Sequence, residues 1–238
     1  MKNTSKNALV TGAAKRVGRA VAIALANEGW NLALHHNSTD VAEVAAECQK
    51  LGVKICTIQA DLNDYNAVAG IVETANAQLS EISLLVNNAS IFEKCSFADT
   101  TEDVFDRHMD INFKAPFFLS QAFAAQTSTG QIINISDTNI TRNSSTYFAY
   151  LHSKKALSSL TKMLAVELAP NVRVNEICIG MTELPSPVDI EYINKRVAEI
   201  PLQARIKLSE VCETIIHFTK ADYLTGQSIF VDAGENLI

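Results

Sequence analysis

Asn7-Ala-Leu-Val-Thr11-Gly12-Ala-Ala-Lys15-Arg16-Val17-Gly18-Arg19-Ala-Val-Ala-Ile-Ala-Leu-Ala26 decides the fold. A short apolar run, a glycine-bearing turn and a helix with apolar periodicity succeed one another, and a second apolar run, Asn31 to His35, follows. This order is the first half of a nucleotide-binding βαβ unit. Gly12 permits a tight turn, and Gly18 permits close packing or backbone approach. The N-terminus of the helix offers free N–H groups and the positive end of its dipole to a pyrophosphate. A glycine loop alone is also read as a plain turn. The strand before it and the helix after it tip the reading to a cofactor site.

Outward from this unit, short β-type runs alternate with helical patterns to the end of the chain. The remaining strands are expected at Lys54 to Gln59, Leu84 to Asn87, Gln131 to Ile135, Arg173 to Cys178 and Ser228 to Val231. Seven strands with crossover helices imply an α/β fold, a single-domain doubly wound parallel sheet of the Rossmann type spanning residues 1–238. No repeat, low-complexity tract or linker interrupts it. One irregular stretch, 180–208, carries Pro185, Pro187 and Pro201 and follows the sixth strand. Its place at the carboxyl edge of the sheet predicts a substrate-covering lid, an ordinary long loop being the alternative.

Composition narrows the partners. A chain of 238 residues with 47% hydrophobic residues can bury a sizeable core. A net charge of −6 and a pI near 5.4 argue against nucleic acid as the main partner. No apolar run reaches membrane-spanning length, and the chain enters its first strand too soon for a signal peptide. Its five cysteines show no metal-ligand spacing, so no metal is expected and a reducing, cytoplasmic setting is.

The chemistry is expected further along. Asp137 closes the run Gln131-Ile-Ile-Asn-Ile-Ser-Asp137, and after a polar loop come Tyr150 and Lys154. Residues i and i+4 share a helix face, so this phenol and ammonium lie side by side. A neighbouring cation is expected to lower the phenol pKa from about 10 toward neutrality and make a usable proton donor. Asp137 on the preceding strand end faces the same spot and would oppose that shift, so the three should titrate as a coupled set. Ser136 is a poor alternative to Asp137, because neighbouring strand residues face opposite ways. A Tyr-x-x-x-Lys alone also describes a surface helix with a snorkelling lysine.

With these landmarks in register, the chain resembles the short-chain dehydrogenases/reductases along essentially its whole length. The similarity runs through Thr11-Gly12 with Gly18, Asp61-Leu62, Asn87-Asn88-Ala89, Asn112, and Tyr150 with Lys154. It closes with Ile200-Pro-Leu-Gln-Ala-Arg205 and Leu224-Thr-Gly226-Gln-Ser-Ile-Phe-Val-Asp232. The ordinary family pattern has glycine at 16, serine at 137, proline at 179 and glycine at 233, where this chain has Arg16, Asp137, Ile179 and Ala233. Thr11 to Gly18, Asp137 and the segment Asn87 to Phe92 are similar to the pteridine reductase and dihydromonapterin reductase branch. The resemblance implies that Thr11, Gly12, Lys15, Arg16, Val17 and Gly18 hold a pyrophosphate and that Asp61 and Leu62 meet the adenine. Asn88, Ala89, Ser90, Lys154 and Gly180 would line the nicotinamide side, with Asn112 supporting Lys154 through a backbone-bound water. A pterin would lie against Phe92 by offset stacking, with Arg16, Ser90, Asp137 and Tyr150 at its polar edge.

Cofactor choice is read from an absence. Leu32-Ala-Leu-His35-His36-Asn37-Ser38 has no acid before Asp40, where an NAD-binding unit places one for the ribose hydroxyls. His35, His36, Asn37 and Ser38 are donors for a 2′-phosphate instead, with Lys15 or Arg16 adding charge, so NADPH is expected. The expected activity is NADPH-dependent reduction of a dihydropterin such as dihydromonapterin, dihydrobiopterin or dihydrofolate. A carbonyl (3-oxoacyl or small-ketone) reductase of the same fold, and an NADPH-binding sensor or assembly subunit, are the alternatives. The resemblance further implies helix pairing across two-fold axes into a homotetramer, or a homodimer.

Overall fold

The computed structural model describes residues 6–143, 146–182 and 190–238. Seven parallel strands form one sheet: β1 (Asn7–Val10), β2 (Asn31–His36), β3 (Ile55–Gln59), β4 (Leu84–Asn87), β5 (Gly130–Asp137), β6 (Val172–Ile179) and β7 (Ser228–Val231). They lie in the order β3-β2-β1-β4-β5-β6-β7, all expected strands being found to within two residues at each end. The order reverses direction between β1 and β4, and the crevice outside their carboxyl ends is where such sheets take ligands.

The core is two layers, one on each face, because alternate strand residues point to opposite sides. Ala8, Val10, Leu84 and Val86 pack with α1 (Arg16–Asn27), α2 (Ala42–Lys50) and α8 (Leu208–Lys220) through Leu25, Val44, Ile215 and Phe218. Leu9, Leu85 and Val174 pack with α3 (Tyr65–Leu79), α5 (Ala115–Gln126) and α6 (Phe148–Glu167) through Ile71, Leu119, Phe123 and Ala165. Both sides of the sheet are covered, as a parallel sheet requires.

Two details are not the plain alternation of strands, helices and one irregular stretch that the sequence suggests. Asn112 does not sit in a long regular helix: α4 (Glu102–Met109) widens into a π-helical turn, Asp110–Lys114, before α5 begins. Pro116 has no N–H to give the carbonyl of Asn112 four residues back, and a widened turn relieves its ring from that carbonyl. The stretch 180–208 is partly regular, since α7 (Ile190–Glu199) lies within it. Pro185, Pro187 and the rest of 183–189 fall outside the described residues, and with them the middle of the stretch expected as a lid. The described end is tied to the C-terminus: Leu202 N–H donates to Ala233 O at 3.1 Å, and Arg196 Nη2 pairs with the buried Glu235 at 2.9 Å.

The departures from the glycine pattern keep the glycine conformation. Arg16 has φ 51° and Ala233 has φ 57°, both left-handed. Each L side chain there costs roughly 1–2 kcal/mol relative to glycine's freedom. Ile179, in place of a proline, continues the ladder, opposite Asp137 on one side and Val231 on the other.

Candidate active site

The β1–α1 turn is built for close backbone approach. Gly12 has φ +64°, and a Cβ on it would stand 3.0 Å from Ala89 Cα. A Cβ on Gly18 would lie only 2.1 Å from Gly12 O, so no side chain fits where the helix meets the turn. Thr11 is the hub: its hydroxyl accepts the N–H groups of Asn88 (2.9 Å) and Ala89 (3.0 Å). Asn88 returns its amide to Thr11 O (2.8 Å) and Gly12 O (3.2 Å), locking the β4 end to the turn. Lys15 at the start of α1 is exposed and caps no helix N–H with its side chain. Arg16 is exposed beside it, and Val17 tucks into the core. These uncapped N–H groups and the glycine cradle fit a pyrophosphate.

At the end of β2 the four expected phosphate donors divide. His35 is buried: its Nδ1 accepts Gly12 N–H at 3.2 Å, and its Nε2 lies 3.1 Å from Ala60 O. The imidazole is therefore the neutral Nε2–H tautomer. Burial chiefly pulls its pKa down from the ordinary 6.5 to about 4. His35 is thus a brace for the turn and not a phosphate donor, which corrects the sequence reading. Its position in the alternation sends it inward while His36 is turned toward the surface. His36 directs Nδ1 at Thr39 O (3.1 Å), and Asn37 and Ser38 are exposed. On β3's side, Asp61 is exposed and caps Asn63 N–H at 2.9 Å, while Leu62 is buried.

Asp137, Tyr150 and Lys154 converge as their spacing predicts. Tyr150 Oη donates to Asp137 Oδ2 at 2.8 Å. The other oxygen of Asp137 accepts both the backbone N–H and the side-chain amide of Asn139, each at 2.8 Å. Lys154 Nζ is buried, donates to Ile135 O at 2.9 Å and lies 5.9 Å from the Tyr150 ring centre.

The expected fall in the phenol pKa is not found. Burial first, then the charge of Asp137 and its hydrogen bond, hold Tyr150 well above 10. Here the carboxylate is in direct contact and the ammonium is not, so the like charge prevails. Burial also pulls Lys154 down to about 8, against Asp137, Cys178 and Glu176. Ser136 is buried with its hydroxyl unpartnered and takes no part in the Tyr150 contact.

No hydrogen bond joins the Asn112 side chain to Lys154. Asn112 Oδ1 accepts Ile91 N–H (2.9 Å) and Ser90 Oγ–H (3.1 Å), and its Nδ2 reaches Ile91 O and Ser153 Oγ, both at 3.0 Å. Ser90 thereby points its proton inward. Phe92 is 58% exposed, its ring stacked on Tyr147 (4.4 Å, 14°) and 4.7 Å from the Tyr150 ring. Gly180 sits against Asp232, where a Cβ would come within 2.7 Å of Asp232 Cα.

Asn139 and Tyr147 escaped the sequence reading. An Asx turn after a strand-end aspartate would have suggested Asn139. No local signal marks Tyr147, which meets Phe92 from 55 positions away. Among the described residues no group of three His, Cys, Asp or Glu could hold a metal, and no helix is long and apolar enough to cross a membrane.

Known proteins share this architecture. The structure of FolM alternative dihydrofolate reductase 1 from Brucella canis, complexed with NADP, superposes with a TM-score of 0.93 at 33% identity, covering 98% of this chain and 94% of that one. Oxidoreductase UcpA of Escherichia coli K12 is 32% identical over 255 residues, 99% of this chain and 96% of its own. The 3-oxoacyl-[acyl-carrier-protein] reductase FabG of Staphylococcus aureus Mu50 is 32% identical over 240 residues, 97% and 98% of the two chains. The short chain dehydrogenase model matches residues 6–192, and with this fold and site the chain belongs to the short chain dehydrogenase family.

Proposed function

We propose that this chain is an NADPH-dependent reductase of a dihydropterin, of the kind represented by dihydromonapterin, dihydrobiopterin and dihydrofolate, yielding the tetrahydro form. The observation that carries the reading is the 2.8 Å hydrogen bond from Tyr150 to Asp137. A ketone asks for one donor at its oxygen. A pterin has ring nitrogens to be protonated and amino groups that favour an acceptor, and a phenol–carboxyl pair offers both. The likeness to FolM over nearly the whole chain supports the same choice.

The residues present fit the dinucleotide. Thr11, Gly12, Lys15, Arg16, Val17 and Gly18 would hold the pyrophosphate, and His36, Asn37 and Ser38 the 2′-phosphate. Asp61 and Leu62 would border the adenine. Asn88, Ala89, Ser90, Gly180 and the Lys154 ammonium would border the nicotinamide ribose. When bound, the nicotinamide supplies the hydride. Tyr150 holds the proton at Oη, and Asp137 holds Tyr150. Phe92 offers a flat exposed ring at the same edge. Five unpaired, buried cysteines suit a reducing, cytoplasmic setting.

The test is NADPH oxidation measured against dihydropterins, dihydrofolate, small ketones and a 3-oxoacyl thioester. Faster reduction of a ketone or 3-oxoacyl substrate than of every dihydropterin would replace this reading with a carbonyl reductase, which the FabG likeness also allows.

A further inference from the structure

Phe92 is an exposed aromatic residue on a loop, yet the backbone on each side of it is pinned. On the N-terminal side, Asn112 clasps Ile91 at both its N–H and its carbonyl. On the C-terminal side, Glu93 N–H donates to Nε2 of His108 at 3.3 Å. That histidine is fully buried, and its Nδ1 donates to Val104 O at 2.7 Å, which fixes Nε2 as the acceptor. The Glu93 carboxylate is gripped in addition by a fork from Arg107, Nη1 to Oε1 at 2.7 Å and Nη2 to Oε2 at 3.1 Å. Arg107 Nε binds Asp103 at 3.1 Å, so the fork is itself braced along α4.

The ring stacks on Tyr147 and meets Tyr150 at a steep angle yet stays 58% exposed, so anchors on both of its flanks add positioning beyond those ring contacts. They match what a stacking platform requires: a ring held in place before the ligand arrives. We propose that Arg107 and His108 are positioning residues for the substrate, acting through Glu93 to hold Phe92 as a preset wall for a flat bicyclic ring. This rests on the dihydropterin reading above and adds the means of holding its platform. Neither residue touches the Tyr150–Asp137–Lys154 group by any hydrogen bond. His108 has only a ring-edge approach to Tyr150, at 6.4 Å between ring centres.

The consequence is a split between binding and turnover. Arg107→Met and Glu93→Gln remove the fork at a partly exposed site, and both variants should fold. The expected result is a rise in KM for 7,8-dihydrobiopterin of about three- to tenfold, the range for losing one preorganising contact. Turnover at saturation should change less than KM, and NADPH affinity, read from nicotinamide fluorescence, should not change. Arg107→Lys keeps the charge without the fork and should restore only part of the loss. His108→Gln keeps an acceptor for Glu93 N–H and should bind substrate better than His108→Leu. Unchanged KM in both fork variants, with a wild type that turns over dihydrobiopterin, overturns this proposal alone. A wild type without dihydropterin turnover overturns both it and the functional reading. Equal loss of NADPH affinity and KM would mean general loosening and would also overturn it.

Discussion

Tyr150 carries its proton against a carboxylate, and this fixes how the enzyme must respond to mutation and pH. Tyr150→Phe removes the donor and keeps the packing, so turnover should fall by at least about a hundredfold with NADPH affinity nearly unchanged. Stopped-flow hydride transfer alongside a cofactor titration checks both halves. Asp137→Ser should remove the pterin preference: dihydropterin reduction drops, ketone reduction holds or improves. On the alkaline side Lys154 is an ammonium only below about 8, so wild-type rate should decline through that pH. Equal losses of both activities in the Ser variant, at every pH, would count against Asp137 as the discriminating residue. The trio was legible in the sequence because helical i, i+4 spacing and a strand end are local properties. Asn139 and Tyr147 were not, since one depends on a 3-10 turn, Thr138–Thr141, and the other on a ring contact across the loop.

The strands were legible because parallel strands buried on both faces read as short apolar runs, and here those runs begin and end within two residues of the ladders. What was hidden at this scale is how side chains at an element's end are shared out. His35 was read as a phosphate donor, yet the pleat aims it under the glycine turn and leaves His36, Asn37 and Ser38 for the outside. The widening at Asp110–Lys114 was hidden too, because Pro116 signals a disturbed helix but not its form. His35 gives a sharp stability test. Its folded pKa lies below the unfolded value, so the unfolded chain binds the extra proton between 6.5 and about 4. The contribution is complete above 6.5 and is lost as pH falls through that window. The full difference amounts to roughly 3 kcal/mol. Urea unfolding at pH 7 and pH 4.5 should show the wild type losing more stability than His35→Gln, and equal losses would remove the brace from the account. Cofactor choice belongs to the same strand end. His36→Asp or Asn37→Asp should shift preference toward NADH by repelling the 2′-phosphate, and a parent enzyme equally efficient with both cofactors would remove the premise.

The whole molecule leaves apolar surface that its own fold does not use. Phe105 on α4, Phe117 on α5, and Met163 and Val166 on α6 remain 44%, 37%, 67% and 81% exposed, although α5 and α6 already bury one side. Scattered apolar residues need no explanation, but three neighbouring helices each offering an outer apolar position do. A heterologous contact would propagate, whereas a two-fold contact between copies closes and buries the same helices on both sides. The resemblance to the family makes a homotetramer the expectation, or a homodimer if only one pair of faces engages. Light scattering at assay concentration should give a mass that is a multiple of 25.9 kDa. Val166→Lys with Met163→Lys supplies the perturbation. Across a two-fold axis the new ammonium groups face their own copies in a surface losing water, where like charges cost several kcal/mol. The variant should fall to a smaller species and keep its NADPH affinity, because neither residue lies at the carboxyl edge of the sheet. A wild type that already elutes as a single species near 26 kDa would show that these apolar positions serve something other than self-association.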